Sequence, residues 1–584
     1  MCAHTFEIKD QFLLDGEPMK IISGSIHYFR VVPEYWRDRL IKLRAMGCNT
    51  VETYVPWNLH EPRKGAFDFQ GMLDVKQFLQ TAQELGLWAI VRPSPYICAE
   101  FEFGGLPAWL LAEDGMKLRC TYPPFLEYVR DYYHHLFSIL APLQVHRGGN
   151  ILLMQVENEY GAYGDETEYL AALRTIMEDC GVQVPMVTSD GPWGDYLACG
   201  SLTGTLATAN FGSKAKEQLP ILRRHTGGPL MCMEFWVGWF DAWGDEVHHT
   251  TSPEECAREL DDILSQGSVN FYMFHGGTSF GFTNGANYYG KLSPDVTSYD
   301  YDAPLSEDGT ITEKYRAFQK VIEKHVPLPE IPLPPPVKKA AYGPKRVEKR
   351  VSLFSVLNEI SSPIQSPWPL CMEKLGQSFG YTLYRSALNP GLPVEKIELR
   401  GANDRAQIFF DRKPILTLYD RELLEEYPVA PTLTGRQELM ILTENMGRVN
   451  YGPSLESQRK GIDGAVLVNG HGHAGWEMYP LPMDAAMSEK IDFDGEYLPH
   501  TPGFYRIPFT VDEPCDTFLE LPGWGKGCVL LNGFQLGRFW EEGPQKRLYV
   551  PAPLLKKGEN LLIVFESEGK AAQTVQFCDT PSLG

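Results

Sequence analysis

Basic charge is the first thing this chain is short of: 53 lysines and arginines stand against 75 aspartates and glutamates, a formal net charge of −22 over 584 residues. Nucleic acids and anionic membranes are held by clustered cations, so neither is an expected partner, and a solvated acidic surface is the simpler account. Paired cysteines are missing too. The 12 cysteines are scattered singly, from Cys2, Cys48, Cys98 and Cys120 to Cys578, without a CxxC pair or a zinc-ligand spacing. Free thiols in a reducing compartment are the plain reading. No run approaches the roughly 18 apolar residues that a membrane-spanning helix needs. The opening MCAHTFEIKDQFLLDGEPMK lacks the basic-then-apolar order of a secretory signal. A cytoplasmic location is therefore expected, and a homodimer, because twofold assemblies are the commonest.

What is present is a long alternation of two textures. A chain of this length needs several cores. Over residues 1–330, apolar runs such as MKIISGSIHYF, CNTVETYV, LWAIVRPSPYICAE, NILLMQVENEYG, QVPMVTSD, GTLATANF, GPLMCMEFWVGW and GSVNFYMF read as eight strands. Helical spacing separates several of them. PEYWRDRLIKLRAMG is one case, with Pro33 at its start and Gly47 as its stop; SPEECARELDDILSQG is another. About eight βα units predict a (β/α)8 barrel over 1–330, with an open doubly wound sheet as the competing arrangement. The proline-rich HVPLPEIPLPPPVKK then opens a connecting segment, 331–375. Short alternating strands with Gly, Pro, Asn and Asp turns follow, predicting all-β jelly-roll domains over 376–482 and 483–584. DRAQIFFDRKPILTLYDR is echoed by GKGCVLLNGFQLGRFWEE, and RQELMILTENMGRVNYG by GENLLIVFESEG, which suggests two related β-domains.

In a barrel of this kind, chemistry gathers at the C-terminal strand ends. There the fourth predicted strand carries Glu157, Asn158 and Glu159, and the seventh carries Glu234. The third ends in Cys98, Ala99 and Glu100, the second in Tyr54, and the eighth carries Tyr272. Buried-end carboxylates cost free energy unless paired or used. Two of them within an aromatic ring suit retaining glycoside hydrolysis, where one carboxylic acid protonates the leaving oxygen and a carboxylate attacks the anomeric carbon. On a continuing strand, Glu157 and Glu159 would share a face. Glu157, the deeper, is expected to be structural, paired with a base such as Arg92.

The motifs SGSIHYFR, TYVPWNLHEP, RPSPYICAEFEFGGLPAWL, QVENEYG and SYDYDAPLSEDG are similar to those of glycoside hydrolase family 35, and the two β-domains resemble that family's accessory modules. One departure is Asn150, standing where the family's Gly-Gly-Pro turn has proline. The resemblance implies Glu159 as acid/base and Glu234 as nucleophile. It implies Asn158 on the sugar 2-hydroxyl, and a galactose wall of Tyr54, Cys98, Ala99 and Glu100, with Cys98 and Ala99 acting through the backbone. Tyr272 and Tyr301 would sit by the nucleophile, a phenol there keeping Glu234 ionised. The activity implied is an exo-acting, retaining β-galactosidase of a small, non-secreted bacterial type, needing no cofactor or metal and favouring β-1,3-linked galactose on N-acetylhexosamine.

Other readings stay open beside this one. An exo-β-glucosaminidase would need a carboxylate for a 2-amino group. A non-catalytic carbohydrate-binding protein would need one glutamate missing, and both are present. Cys98 could be a thiol nucleophile but has no adjacent histidine, so packing is the better reading. His27, His60, Glu61 and Glu100 lack HxH or HExxH spacing. FHGGTSFGFTNG is glycine-rich without the phosphate-loop pattern. In EFWVGWFDAWG, Trp236 and Trp239 are read as a platform for the sugar beyond galactose, since an indole stacks on the C–H face of a pyranose, and Trp243 as packing. ENMGRVNYG is expected to reach the barrel mouth and bring Tyr451 to the aglycone side.

Overall fold

The computed structural model describes residues 3–93, 95–388, 393–433 and 436–584; Cys2 lies outside them. Eight parallel strands close into a barrel: β1 (Ile22–Ile26), β2 (Thr50–Tyr54), β3 (Trp88–Arg92), β4 (Ile151–Gln155), β5 (Met186–Asp190), β6 (Leu206–Phe211), β7 (Met231–Trp236) and β8 (Ser268–His275). β8 pairs with both β7 and β1, which closes the ring. Nearly every strand residue is buried. That is why these segments read as continuous apolar runs: helices cover the outer face while side chains fill the inside.

The helices follow in turn: α1 (Pro33–Met46), α2 (Val75–Glu84), α3 (Pro123–Leu140), α4 (Thr167–Asp179), α5 (Tyr196–Gly200), α6 (Ala215–His225), α7 (Pro253–Leu264) and α8 (Glu313–His325). Their limits have local causes. Pro33 and Pro253 occupy the first turn, where a missing N–H costs nothing. Asp74 caps α2 by accepting from the Gln77 amide at 2.8 Å. Gly47 stops α1 at φ 113°, its amide returning to the carbonyls of Leu43 and Arg44. The sequence reading does not anticipate α5 and α6. α5 is a single turn or so, and α6 carries Pro220 inside it, which reads locally as a break. A small N-terminal sheet packs Phe6 and Phe12 into the barrel core.

Two β-sandwiches follow. The first stacks a six-stranded and a four-stranded sheet built from residues 364–481; the second stacks a five-stranded and a four-stranded sheet. The expected connector, 331–375, turns out to hold more than linker. Gly343–Arg346 pairs with Thr574–Cys578, and Lys349–Ser352 pairs with the start of Gly503–Val511. The chain therefore lays two strands of the second sandwich before it builds the first. The physical reason is a shared apolar core. The helix Leu353–Ile360 lies with Tyr381, Leu442, Phe504 and Phe565, taken from both sandwiches, and with Phe282 of the barrel. The echoed segments form matching units: hairpins Arg405–Phe410/Lys413–Tyr419 and Lys526–Leu531/Phe534–Trp540, each joined by a returning antiparallel strand. Among the described residues no helix is long and apolar enough to cross a membrane. Eleven cysteines there are free thiols.

Candidate active site

The cavity at the C-terminal mouth of the barrel has a volume of about 290 Å³. It collects Cys98, Ala99, Glu100, Asn158, Glu159, Glu234, Trp236, Trp239, Tyr272, Tyr301 and Tyr451 from segments far apart in sequence. Tyr54, fully buried behind this wall, reaches it through Glu234. Sequence reasoning missed Trp193, Tyr196, Phe240, Asn287 and Tyr289, which also line it. Trp193, Phe240 and Tyr289 lie outside regular elements, Tyr196 opens the short α5 and Asn287 sits in a three-residue strand, so none falls in a segment long enough to show a period.

Glu234, near the end of β7, is held by three groups. The Tyr54 hydroxyl donates to its Oε1 at 2.7 Å, the Arg92 Nη1 lies 2.7 Å from the same oxygen, and the Trp236 indole N–H donates to Oε2 at 3.0 Å. The expectation of Tyr272 and Tyr301 beside Glu234 is refined in one respect. Both line the cavity, but the phenol bound to Glu234 is Tyr54; the Tyr272 hydroxyl sits 3.2 Å from that of Tyr299. It also adds to the platform reading of Trp236, whose indole nitrogen orients the carboxylate.

Arg92 lies at the centre of these contacts. Its guanidinium stacks on Tyr54 with its carbon 4.0 Å from the ring centre and lies 3.7 Å from Glu52. It donates to Gln155 Oε1 at 2.8 Å and to Asn158 Oδ1 at 2.7 Å. The partner expected for Glu157 is thus engaged elsewhere. Glu157 instead takes a two-pronged pair from Arg119, at 3.0 and 2.8 Å, with the Tyr169 hydroxyl at 2.9 Å and the Asn158 amide at 2.6 Å. A planar guanidinium matches a carboxylate in that way. Glu157 is a fully engaged, 1% exposed structural group.

Strand β4 stops at Gln155, and strand alternation does not continue past it. Glu157 and Glu159 both have left-handed backbones, φ 58° and 47°. They consequently point to different surroundings, Glu157 to Arg119 and Glu159 to the cavity. Glu159 accepts from Asn210 Nδ2 at 3.0 Å. Burial, followed by the negative charge of Glu234, pushes its carboxyl up to about 7. Glu100 is raised to about 7, mainly by burial, although the Tyr299 hydroxyl donates to it at 2.5 Å.

Cys98, Ala99 and Glu100 are three consecutive left-handed residues, φ 57°, 59° and 46°, beyond the end of β3. They form a turn, not the strand end expected from sequence. Such a backbone is costly for side-chain-bearing residues and persists only when neighbours impose it. Buried Arg30 does so, donating to the Ala99 and Glu100 carbonyls at 2.6 and 3.3 Å while lying over Tyr299 at 3.8 Å. The Cys98 thiol is pushed far up, chiefly by burial, which is the opposite of what a nucleophile needs. Asn158 Nδ2 donates to the Ile97 carbonyl at 3.3 Å and keeps a second hydrogen available.

The residues weighed as metal ligands have protein contacts. His27 meets Arg30 at 2.8 Å, His60 meets Tyr28 and the Asp68 carbonyl, and Glu61 accepts from Trp57 and Gly65. Trp239 and Tyr451 are open to solvent at 40% and 36% exposure, while Trp243 is buried against Trp540. The loop bearing Tyr451 reaches the mouth from the first sandwich. Arg448 bridges Glu102 and Glu373, and the Asn450 amide bonds the Ala286 carbonyl at 3.0 Å.

Residues 11–325 match the pattern described as glycosyl hydrolases family 35. Residues 369–482 match a first all-beta domain of beta-galactosidase, and 502–560 a beta-galactosidase galactose-binding domain. The chain is 43% identical to human beta-galactosidase-1-like protein 2 over 591 residues, covering 98% of this chain and 91% of that protein. It is 41% identical to human beta-galactosidase-1-like protein 3, covering 98% and 88%. With the beta-galactosidase of Bos taurus it shares 39% identity, covering 99% and 94%. These three relatives are mammalian, and they lend the bacterial subtype no support.

Proposed function

The chain belongs to glycosyl hydrolase family 35 and is a glycosidase, and from that premise we propose that it is a retaining exo-β-galactosidase acting through Glu234 and Glu159. The observation that carries this reading is the contrast between two carboxyls in one cavity. Glu234 is held by the Tyr54 hydroxyl, the Arg92 guanidinium and the Trp236 indole N–H. Glu159 is raised to about 7, so it holds a proton in neutral solution part of the time and can give it up.

In the first step Glu234 attacks the anomeric carbon as the bond to the leaving oxygen breaks, and Glu159 delivers its proton to that oxygen. In the second, Glu159 takes a proton from water, the hydroxyl adds to the anomeric carbon, and Glu234 departs as a carboxylate. Tyr54, Arg92 and Trp236 receive the charge that returns to Glu234. Asn158, with its spare amide hydrogen, is the donor proposed for the sugar 2-hydroxyl. Cys98, Ala99 and Glu100 would form the galactose wall, the amides of Cys98 and Ala99 having no protein acceptor among the described residues.

β-1,3-linked galactose on an N-acetylhexosamine is the preferred substrate in this reading, supported by a small cavity lined by Trp236, Trp239 and Tyr451. The test is hydrolysis of Galβ1-3GlcNAc, Galβ1-4GlcNAc and Galβ1-6GlcNAc side by side. Glu159→Gln and Glu234→Gln serve as controls, and the anomer first released is read by NMR. The expected result is β-galactose released fastest from the β-1,3 isomer, with Glu159→Gln slowed roughly 10²- to 10⁴-fold. Release of α-galactose would overturn the retaining mechanism. Equal rates on all three isomers would overturn the linkage preference, and full activity of either variant would overturn the residue assignment.

A further inference from the structure

We propose that Trp193, in the loop between β5 and α5, forms an outer subsite for a second sugar on the leaving-group side, so that the enzyme is built for galactosides at least three rings long. The inference rests on the galactosidase reading above and extends it outward from Glu234.

Three observations lead to it. First, the position of Trp236 is set by its hydrogen bond to Glu234 at 3.0 Å, so the indole lies immediately beside the bond to be broken. Trp193 is its ring neighbour, with its centre 5.9 Å from that of Trp236 and inclined at 54°, and at 40% exposure it is the more open to solvent of the two. Trp239 also meets Trp236, edge to face at 5.8 Å. Two successive pyranose rings leaving the cavity therefore meet two successive indoles.

Second, Trp193 is 40% exposed although it lines the cavity wall. Trp239, Tyr289 and Tyr451, also exposed, line the same cavity, and several apolar rings gathered at one rim mark a binding surface where a single exposed ring would not. An indole face offers apolar area and an N–H edge together, matching a sugar's C–H face and hydroxyl rim.

Third, the exposed ring has a fixed seat. It lies back against the chain at Gly191, where an added Cβ would stand 2.4 Å from Trp193 Cζ2. Only the absence of a side chain there lets the indole rest on its own loop. A ring already seated loses little freedom when a sugar docks, and preorganisation of this sort lowers the cost of binding.

The experiment compares kcat/KM for a β-galactosyl disaccharide with kcat/KM for the trisaccharide that extends it by one sugar at the reducing end. The native enzyme is expected to favour the trisaccharide by about tenfold, the upper range of an aromatic contact. In Trp193→Ala that ratio falls to about one, and Trp193→Phe keeps part of it. Gly191→Ala leaves the tryptophan in place but takes away its seat, and is expected to lower the ratio as well. A native ratio near one, or an unchanged ratio in Trp193→Ala, overturns the proposal. Nitrophenyl β-galactoside, which has no sugar beyond galactose, separates the two readings. If the native enzyme does not cut it, the galactosidase reading fails; if it is cut while the ratio is flat, only the outer subsite fails.

Discussion

Replacing Asn210 by alanine should make the enzyme work at higher pH. Asn210 Nδ2 donates to Glu159 Oε1 at 3.0 Å, and this contact favours the carboxylate, opposing the burial and the Glu234 charge that raise Glu159 to about 7. A hydrogen bond to a charged group contributes about 1.5–3 kcal/mol. Loss of a bond at the lower end, with partial replacement by solvent from the cavity, corresponds to about one pKa unit at about 1.4 kcal/mol per unit. The sign follows directly. Removing a donor that stabilises the anion raises the pKa, so Glu159 keeps its proton to higher pH. Glycosidic cleavage needs that proton, and kcat/KM falls as pH rises through the pKa of the acid. The descending limb should therefore move from about 7 to about 8. The assay is kcat/KM against pH for a β-galactosyl disaccharide, whose poor leaving group requires protonation. The height of the profile can drop, because the Ser189 hydroxyl loses its acceptor on Asn210; the position of the limb is what decides. A limb that stays within a few tenths of a unit, or moves down, refutes the assignment of Glu159 as the acid poised by this environment.

Tyr54→Phe deletes one of the three groups that hold Glu234, and under the proposed mechanism the loss matters most as the carboxylate departs in the second step. About 1.5–3 kcal/mol there slows breakdown of the galactosyl ester by roughly tenfold to a hundredfold. A burst of nitrophenol followed by a slower steady rate would show it, and unaltered kinetics would deny Tyr54 its role. Arg119→Met leaves Glu157 buried without its two-pronged partner, for which about 3–5 kcal/mol of destabilisation is expected. Denaturant midpoints would register the change. Addition of Glu157→Gln should restore part of the loss, and simple additivity of the two would contradict the pairing.

Much of the architecture was readable along the chain because its causes are local. Burial on both faces gives the barrel strands their unbroken apolar runs, and Pro33, Gly47 and Pro253 mark helix ends through backbone conformation alone. Where local signals fell silent, the reading did as well. α6 carries a proline in its middle, and α5 is too short to show a period. Strands 343–346 and 349–352 looked like linker because they pair with partners more than 150 residues away. Edge strands with half-exposed residues have no pattern of their own that would reveal such pairing.

The site divides in the same way. Sequence by itself determined which side chains are available at the strand ends: Glu159 and Glu234, the aromatic rings after β7, and Asn158 between two glutamates. It could not determine how the charges are shared among them. Arg92 went to Glu234 and Asn158, Arg119 went to Glu157, and Tyr54, 180 residues from Glu234, became its phenol donor. Coulomb attraction and hydrogen bonding depend on separations of a few ångströms, which chain distance does not encode once a barrel has closed. Desolvation is likewise a property of the finished cavity. Tertiary structure alone therefore decided that one glutamate is held by Tyr54, Arg92 and Trp236 while another, raised to about 7, opens onto the same space.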